Sequence, residues 1–127
     1  MNDIHIEPCK DNFIRPQVDF VASTGLCEIS GESFLEEVAQ FYNPLVDWIR
    51  NYSNMATNIK FVCKLTYFNT STSKWLLTIL SELKKAEDKG VKIEVDWFFH
   101  ADDVDMRDDI SDYMYDTGLH INLVPFE

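Results

Sequence analysis

Glycine is scarce in this 127-residue chain, with four residues at positions 25, 31, 90 and 118. None falls in the spacing of a glycine-rich loop that wraps nucleotide phosphates. Each reads instead as a turn or a helix stop. Cysteine is scarcer still. Cys9, Cys27 and Cys63 are odd in number and widely spaced, which fits neither a disulfide framework nor the paired spacing of a zinc site. Cys27 and Cys63 stand among apolar neighbours and read as small core residues. His5, His100 and His120 are scattered over different elements, so no HExxH, Cys/His or Ser/His/Asp set is available, and no catalytic residue, metal site or cofactor is expected. No apolar run approaches the ~20 residues of a membrane helix. The N-terminus lacks the basic start and apolar stretch of a secretory signal, so the cytoplasm is the expected location. Basic side chains are half as numerous as acidic ones, 11 against 22, for a net charge of −11. A field of that sign repels nucleic acid and anionic membranes and favours a partner with a basic surface.

What the chain does contain is alternation. A domain of this length buries roughly two-thirds of its unfolded surface, and the supply of apolar and aromatic residues suits one domain over residues 1–127. Residues 1–12 read as a loosely held terminus with room for a short edge strand at Ile4–Ile6. Val18, Phe20 and Ala22 alternate with Asp19 and Ser23, and the turn at 23–25 leads into Leu26–Ser30, an antiparallel hairpin. Ser33 to Glu36 has the form of a capping box and predicts a helix start. That helix carries Phe34, Val38, Phe41, Leu45, Trp48, Ile49 and Tyr52 at helical spacing, with a kink at Pro44.

In the strand 58–68, Ile59, Phe61, Cys63, Leu65 and Tyr67 alternate with Lys60, Lys64 and Thr66. A second helix opens at Asn69–Ser73, shows Trp75, Leu76, Ile79, Leu80 and Leu83, and stops at Gly90. The strand 91–99, a helix over Val104–Thr117 ending at Gly118, and a strand about His120–Phe126 complete the order β-β-α-β-α-β-α-β. This is an α/β domain with a mixed, mainly parallel five-stranded sheet. Strands sandwiched on both sides usually read as continuous apolar runs, yet 59–67 and 91–99 alternate cleanly. Two layers are therefore expected, with helices mostly on one face and lysines paired with carboxylates of neighbouring strands on the other.

The hydroxyl cluster Asn69-Thr70-Ser71-Thr72-Ser73 sits where a central strand passes into a helix. Small polar residues there cap the free amides of a helix start. The same position suits a phosphoacceptor, because a phosphate adds about −1.5 to −2 charges at a point where a helix N-terminus holds an anion. Both readings stay open on sequence physics.

The segment Leu65 to Ser73, an aromatic strand end running into Asn-Thr-Ser, resembles the signature of the SiaC family. Phe41 to Trp48, Val95 to Phe99, and Asp102 to Met106 fit the same family in order and spacing, over roughly residues 15–127. The resemblance implies a STAS-like fold and a bacterial regulatory phosphoprotein without catalytic activity. It implies that Thr70 is phosphorylated by a histidine-kinase-like serine/threonine kinase and dephosphorylated by a PPM-type phosphatase. It further implies that the unphosphorylated form binds and activates a diguanylate cyclase, a theme of biofilm signalling. On that view Asn69, Ser71, Thr72 and Ser73 shape the phosphate's surroundings, and Tyr67 and Phe68 belong to the partner surface. In conventional STAS antagonists an acidic residue usually precedes the phosphorylated hydroxyl; Asn69 stands there instead, which favours the SiaC family.

Seven aspartates, at 102, 103, 105, 108, 109, 112 and 116, surround a single Arg107. A calcium loop would need a ligand at Arg107 and glycine at Asp108, and has neither. The run reads as a helix start that complements the dipole, with a solvated acidic face or a docking face. Two rival functions remain: a STAS-type antagonist of an anti-sigma factor, and an acidic cation-dependent enzyme.

Overall fold

The computed structural model describes residues 1–11 and 13–127. Chain order runs β1 (Ile4–Ile6), β2 (Gln17–Val21), β3 (Leu26–Ser33), α1 (Val38–Tyr52), β4 (Asn58–Phe68), α2 (Thr70–Asp88), β5 (Lys92–His100), α3 (Val104–Thr117) and β6 (Asn122–Phe126). The strands lie in the sheet in the same order in which they occur in the chain. The pairs β1–β2 and β2–β3 are antiparallel, and β3 through β6 are parallel. Each crossover from β3 onward therefore steps one strand in the same direction. Since such crossovers are right-handed, all three helices fall on one face.

That face is the core. Phe20, Ile29, Phe61, Leu65 and Trp97 of the sheet are fully buried together with Tyr42, Leu45 and Ile49 of α1 and Leu76, Ile79 and Leu80 of α2. Cys27 and Cys63 are wholly buried as well, and burial pushes each thiol up to about 12, where it stays protonated. The opposite face carries the expected cross-strand ion pairs. Lys60 Nζ lies 3.3 Å from Glu94 and 3.5 Å from Asp96, and Lys64 Nζ lies 3.6 Å from Glu28. Among the described residues no helix is long and apolar enough to cross a membrane.

Three local expectations need correction. The sheet has six strands, because Ile4–Ile6 is a true edge strand with Ile4 opposite Phe20 and Ile6 opposite Val18. The Trp48 indole donates to Asn2 O at 2.7 Å and so ties the N-terminus down. Ser33 does not cap a helix. It is the last residue of β3, paired with Phe68 of β4, and α1 begins only after Glu37, whose side chain makes no capping bond. Phe34 accordingly lies outside α1, bridged to Ile14 and stacked on Phe13. As expected of a proline that does not break the helix, α1 runs on as one element through Pro44.

The hairpin turn shows why a glycine is needed. Gly25 has φ +76°, and a Cβ there would lie 2.6 Å from Asn58 O. Both the backbone conformation and the space demand glycine.

Candidate functional site

At the carboxyl end of the parallel strands the pairing of β3 with β4 slips. Gly31 faces Leu65 but Glu32 faces Tyr67, so Thr66 is an extra residue on β4. Such a bulge reverses which side chains point inward. Tyr67, which continues the apolar alternation in sequence, is 47% exposed, whereas Phe68 packs on the core beside Trp97. The strand thus hands the chain over to α2 with one aromatic in and one out.

Asn69 is the N-cap of α2. Its Oδ1 accepts from Thr72 N–H and from Ser71 Oγ, each at 3.1 Å, and its own N–H donates to Ser33 O at 3.4 Å. The four hydroxyls that follow have different fates. Thr72 is completely buried, with Oγ1 3.0 Å from Ser33 Oγ, which in turn lies 2.8 Å from Tyr42 Oη. Ser73 Oγ lies 2.6 Å from Tyr113 Oη of α3. Ser71 is exposed but bonded to Asn69. Thr70, the first residue of α2, is exposed, and its hydroxyl makes no hydrogen bond among the described residues. The amides of the helix's first turn lack intrahelical acceptors, and the dipole's positive end adds to them.

Two shallow clefts flank this turn. One, of about 280 Å³, is lined by Phe68, Asn69, Thr70, Ser73 and Asp109. The other, of about 300 Å³, lies between the end of β4 and the start of α3, with Tyr67, Phe68, Asp103, Asp105, Met106 and Asp109 along it. Asp109 belongs to both. Burial, reinforced by Asp112, Asp105, Asp103 and Asp108, holds its carboxyl above the ordinary value of 3.8. Asp103 caps α3 by accepting from Met106 N–H at 3.0 Å. Burial likewise lifts Tyr113 to about 12, so it stays a neutral phenol toward Ser73.

Thr70, Asn69, Ser73 and Phe68 are therefore brought together, while Thr72 turns away into the core and Tyr67 faces the second cleft. Sequence reasoning missed Ser33, Tyr42 and Asp109 as neighbours of the turn. Ser33 carried a capping-box signal that pointed elsewhere. The contribution of Tyr42 depends on a contact between α1 and β3, and that of Asp109 on α3 packing beside α2. Tyr113 is buried, and Tyr115, two residues on, is 91% exposed. Among the described residues no group of three or more His, Cys, Asp or Glu is arranged to hold a metal ion.

A family model for SiaC family regulatory phosphoproteins matches residues 9–126. An uncharacterised protein of Pseudomonas aeruginosa (strain UCBPP-PA14) is 23% identical over 100 residues, covering 78% of this chain and 77% of its own. Among solved structures, apo-SiaC from Pseudomonas aeruginosa superposes with a TM-score of 0.83 at 20% identity, covering 98% of this chain and 99% of that one. The structure of diguanylate cyclase SiaD in complex with its activator SiaC, from the same organism, contains a chain that superposes with a TM-score of 0.89. That chain is 18% identical, with 98% of this chain and 100% of the other covered.

Proposed function

Because the chain belongs to the SiaC family of regulatory phosphoproteins, we propose that it is the switch protein of a bacterial partner-switching circuit, reversibly phosphorylated on Thr70. In this reading a histidine-kinase-like serine/threonine kinase transfers the γ-phosphoryl group of ATP to Thr70 Oγ1. The hydroxyl proton passes to a base on the kinase, and the bond from the γ-phosphorus to the ADP leaving group breaks as the new O–P bond forms. A PPM-type phosphatase returns the group to water. The unmodified form binds and activates a diguanylate cyclase. The chain has no catalytic role of its own.

The observation that carries this reading is the division of labour among the hydroxyls. Ser71, Thr72 and Ser73 are engaged by Asn69, Ser33 and Tyr113, respectively, which leaves Thr70 exposed at the first position of a 19-residue helix. A phosphate there stays next to the free amides of the first turn and covers the approach to Phe68. A partner seated on Phe68 and Tyr67 would have to strip water from a dianion, which is costly. The complex recorded for the Pseudomonas aeruginosa relative supports the choice of a cyclase as the partner class.

Phosphosite mapping on protein isolated from its native cells tests the proposal. One phosphate on Thr70, absent from Thr70→Ala, is the expected result, with cyclase bound to the unmodified form only. Equal binding of the cyclase by Thr70→Ala and Thr70→Glu would overturn the switch. Recovery of a sigma-regulatory kinase with no cyclase would move the protein to the antagonist class.

A further inference from the structure

On the sheet face and along α1 and α2 the carboxylates of this protein are largely paired: Asp96 and Glu94 with Lys60, Glu28 with Lys64, Glu32 with Lys10, Glu82 with Arg50 and Lys85, Glu87 and Asp88 with Lys84. Carboxylates without a basic partner occur singly or in twos elsewhere among the described residues, at Asp3, Asp11, Glu36, Glu37 and Glu127, but they concentrate in and before α3. Among the described residues none of Asp102, Asp103, Asp105, Asp108, Asp109, Asp112 and Asp116 is within ion-pair distance of a basic group, although Arg107 sits among them.

Beside this uncompensated charge lies apolar surface. The cleft between β4 and α3 is lined by exposed Tyr67 and half-buried Phe68 over the buried Met106, with Asp103, Asp105 and Asp109 beside them, and Tyr67 is held outward by the Thr66 bulge. Exposed Phe34, which follows the Ser33 that pairs with Phe68, stacks on Phe13 at 6.4 Å. Aromatic residues and methionine are the side chains that anchor protein interfaces.

We infer that this β4–α3 cleft is the docking surface for a basic, apolar-anchored segment of a partner protein. An apolar side chain seats against Tyr67 and the exposed edge of Phe68, above Met106, and flanking lysines or arginines meet Asp105 and Asp109. A second copy is disfavoured as the occupant, because it would bring a net charge of −11 against the same acidic face. Resting on the proposed function, the inference identifies this cleft as the place where the cyclase docks. It also defines how the switch acts. Phosphate on Thr70 adds charge of the sign the partner seeks, so the block comes from a hydrated dianion that Asp109 keeps away from α3 and over Phe68. Docking of the unmodified form therefore weakens with salt, whereas the block by phosphate persists at high salt.

The first probe is independent of the cyclase. A synthetic lysine/leucine peptide is titrated into the isotope-labelled full chain, beside versions with glutamate for lysine and serine for leucine. Saturable shifts at the Tyr67, Phe68, Asp105 and Met106 amides with the lysine/leucine peptide alone are expected. Asp105→Asn with Asp109→Asn should weaken binding about three- to tenfold, and Tyr67→Ala about tenfold. Asp103 is left in place because it caps α3. The charge control Asp88→Asn with Asp116→Asn, at the opposite helix ends, should change binding by less than about twofold. Shifts spread over every acidic surface, no shifts, or an equal loss in the control would overturn the inference.

In the second arm, a cyclase co-purified from native cells is titrated against the same variants. Loss of binding in parallel with the peptide supports the cleft. A cyclase that binds wild type and ignores both cleft variants overturns the cleft and leaves the proposed function standing. Peptide shifts in the cleft with no cyclase recovered leave the cleft standing and overturn the proposed partner.

Discussion

At the scale of single residues, Asp109 is where the fold and the proposed switch meet. Its carboxyl is held above the ordinary value of 3.8 by burial first and by its neighbouring aspartates second. A carboxylate whose folded value is raised binds its proton more tightly folded than unfolded, so its charged form costs stability. Asp109→Asn should therefore stabilise the fold at pH 7, by roughly a few tenths of a kcal/mol after solvent screening, and raise the melting temperature accordingly. The gain should be full above the raised value and vanish below about pH 3.8, where wild type is already neutral at this position. Thermal melts across that range check the sign; a gain that persists at pH 3 would assign it to something other than charge. A charge placed at position 70 meets the same carboxylate. Thr70→Glu should thus be less favourable to the melting temperature in wild type than in an Asp109→Asn background, and a double-mutant cycle reads the coupling directly.

At the scale of elements, the buried chain Tyr42–Ser33–Thr72 joins α1, β3 and α2 under the turn that carries Thr70. Ser33 is its node, with a hydroxyl within bonding distance of both partners. Ser33→Ala leaves two buried hydroxyls without it and should cost about 1–3 kcal/mol, whereas Tyr42→Phe removes one end and should cost about 1 kcal/mol. Chemical denaturation of the two variants checks the order, and equal costs would show that Ser33 is not the node.

This network also marks where the sequence stops being informative. The bounds of β4 and α3 and the one-sided placement of the helices follow from alternation, glycine stops and right-handed crossovers, because each depends on local period. Ser33 is the counterexample. Its Ser-x-x-Glu pattern satisfies a helix start locally, yet pairing with Phe68 and the bond to Thr72, 39 residues away, keep it in a strand. The same holds for Tyr67. Its parity with Leu65 is legible, and the bulge that turns it outward is visible only once β3 and β4 are in register. The hydroxyl cluster could be found in sequence, but the separation of one free hydroxyl from three engaged ones required Ser33 and Tyr113 to be in place.

At the scale of the whole molecule, the sequential strand order brings β3, β4 and β5 to a common carboxyl edge and sets the acidic start of α3 beside the aromatic end of β4. Two electrostatic effects then compete in the folded chain. The paired carboxylates on the sheet face and helices favour the native state, but exposed pairs contribute only about 0–1 kcal/mol each. Against them stands a net charge of −11, with seven aspartates in and before α3 that have no basic partner within ion-pair distance among the described residues. Compaction brings those like charges together, and their repulsion is long-ranged. Between about 0.01 and 0.15 M ionic strength the screening length falls from ~30 to ~8 Å, which quenches distant repulsion before it touches pairs at contact. The melting temperature should therefore rise with salt across this interval. The rise should be smaller in a variant carrying Asp105→Asn, Asp108→Asn and Asp109→Asn. A melting temperature that falls with salt would mean that the contact pairs outweigh the uncompensated charge of α3, and would remove the electrostatic reason for a basic partner at that end of the sheet.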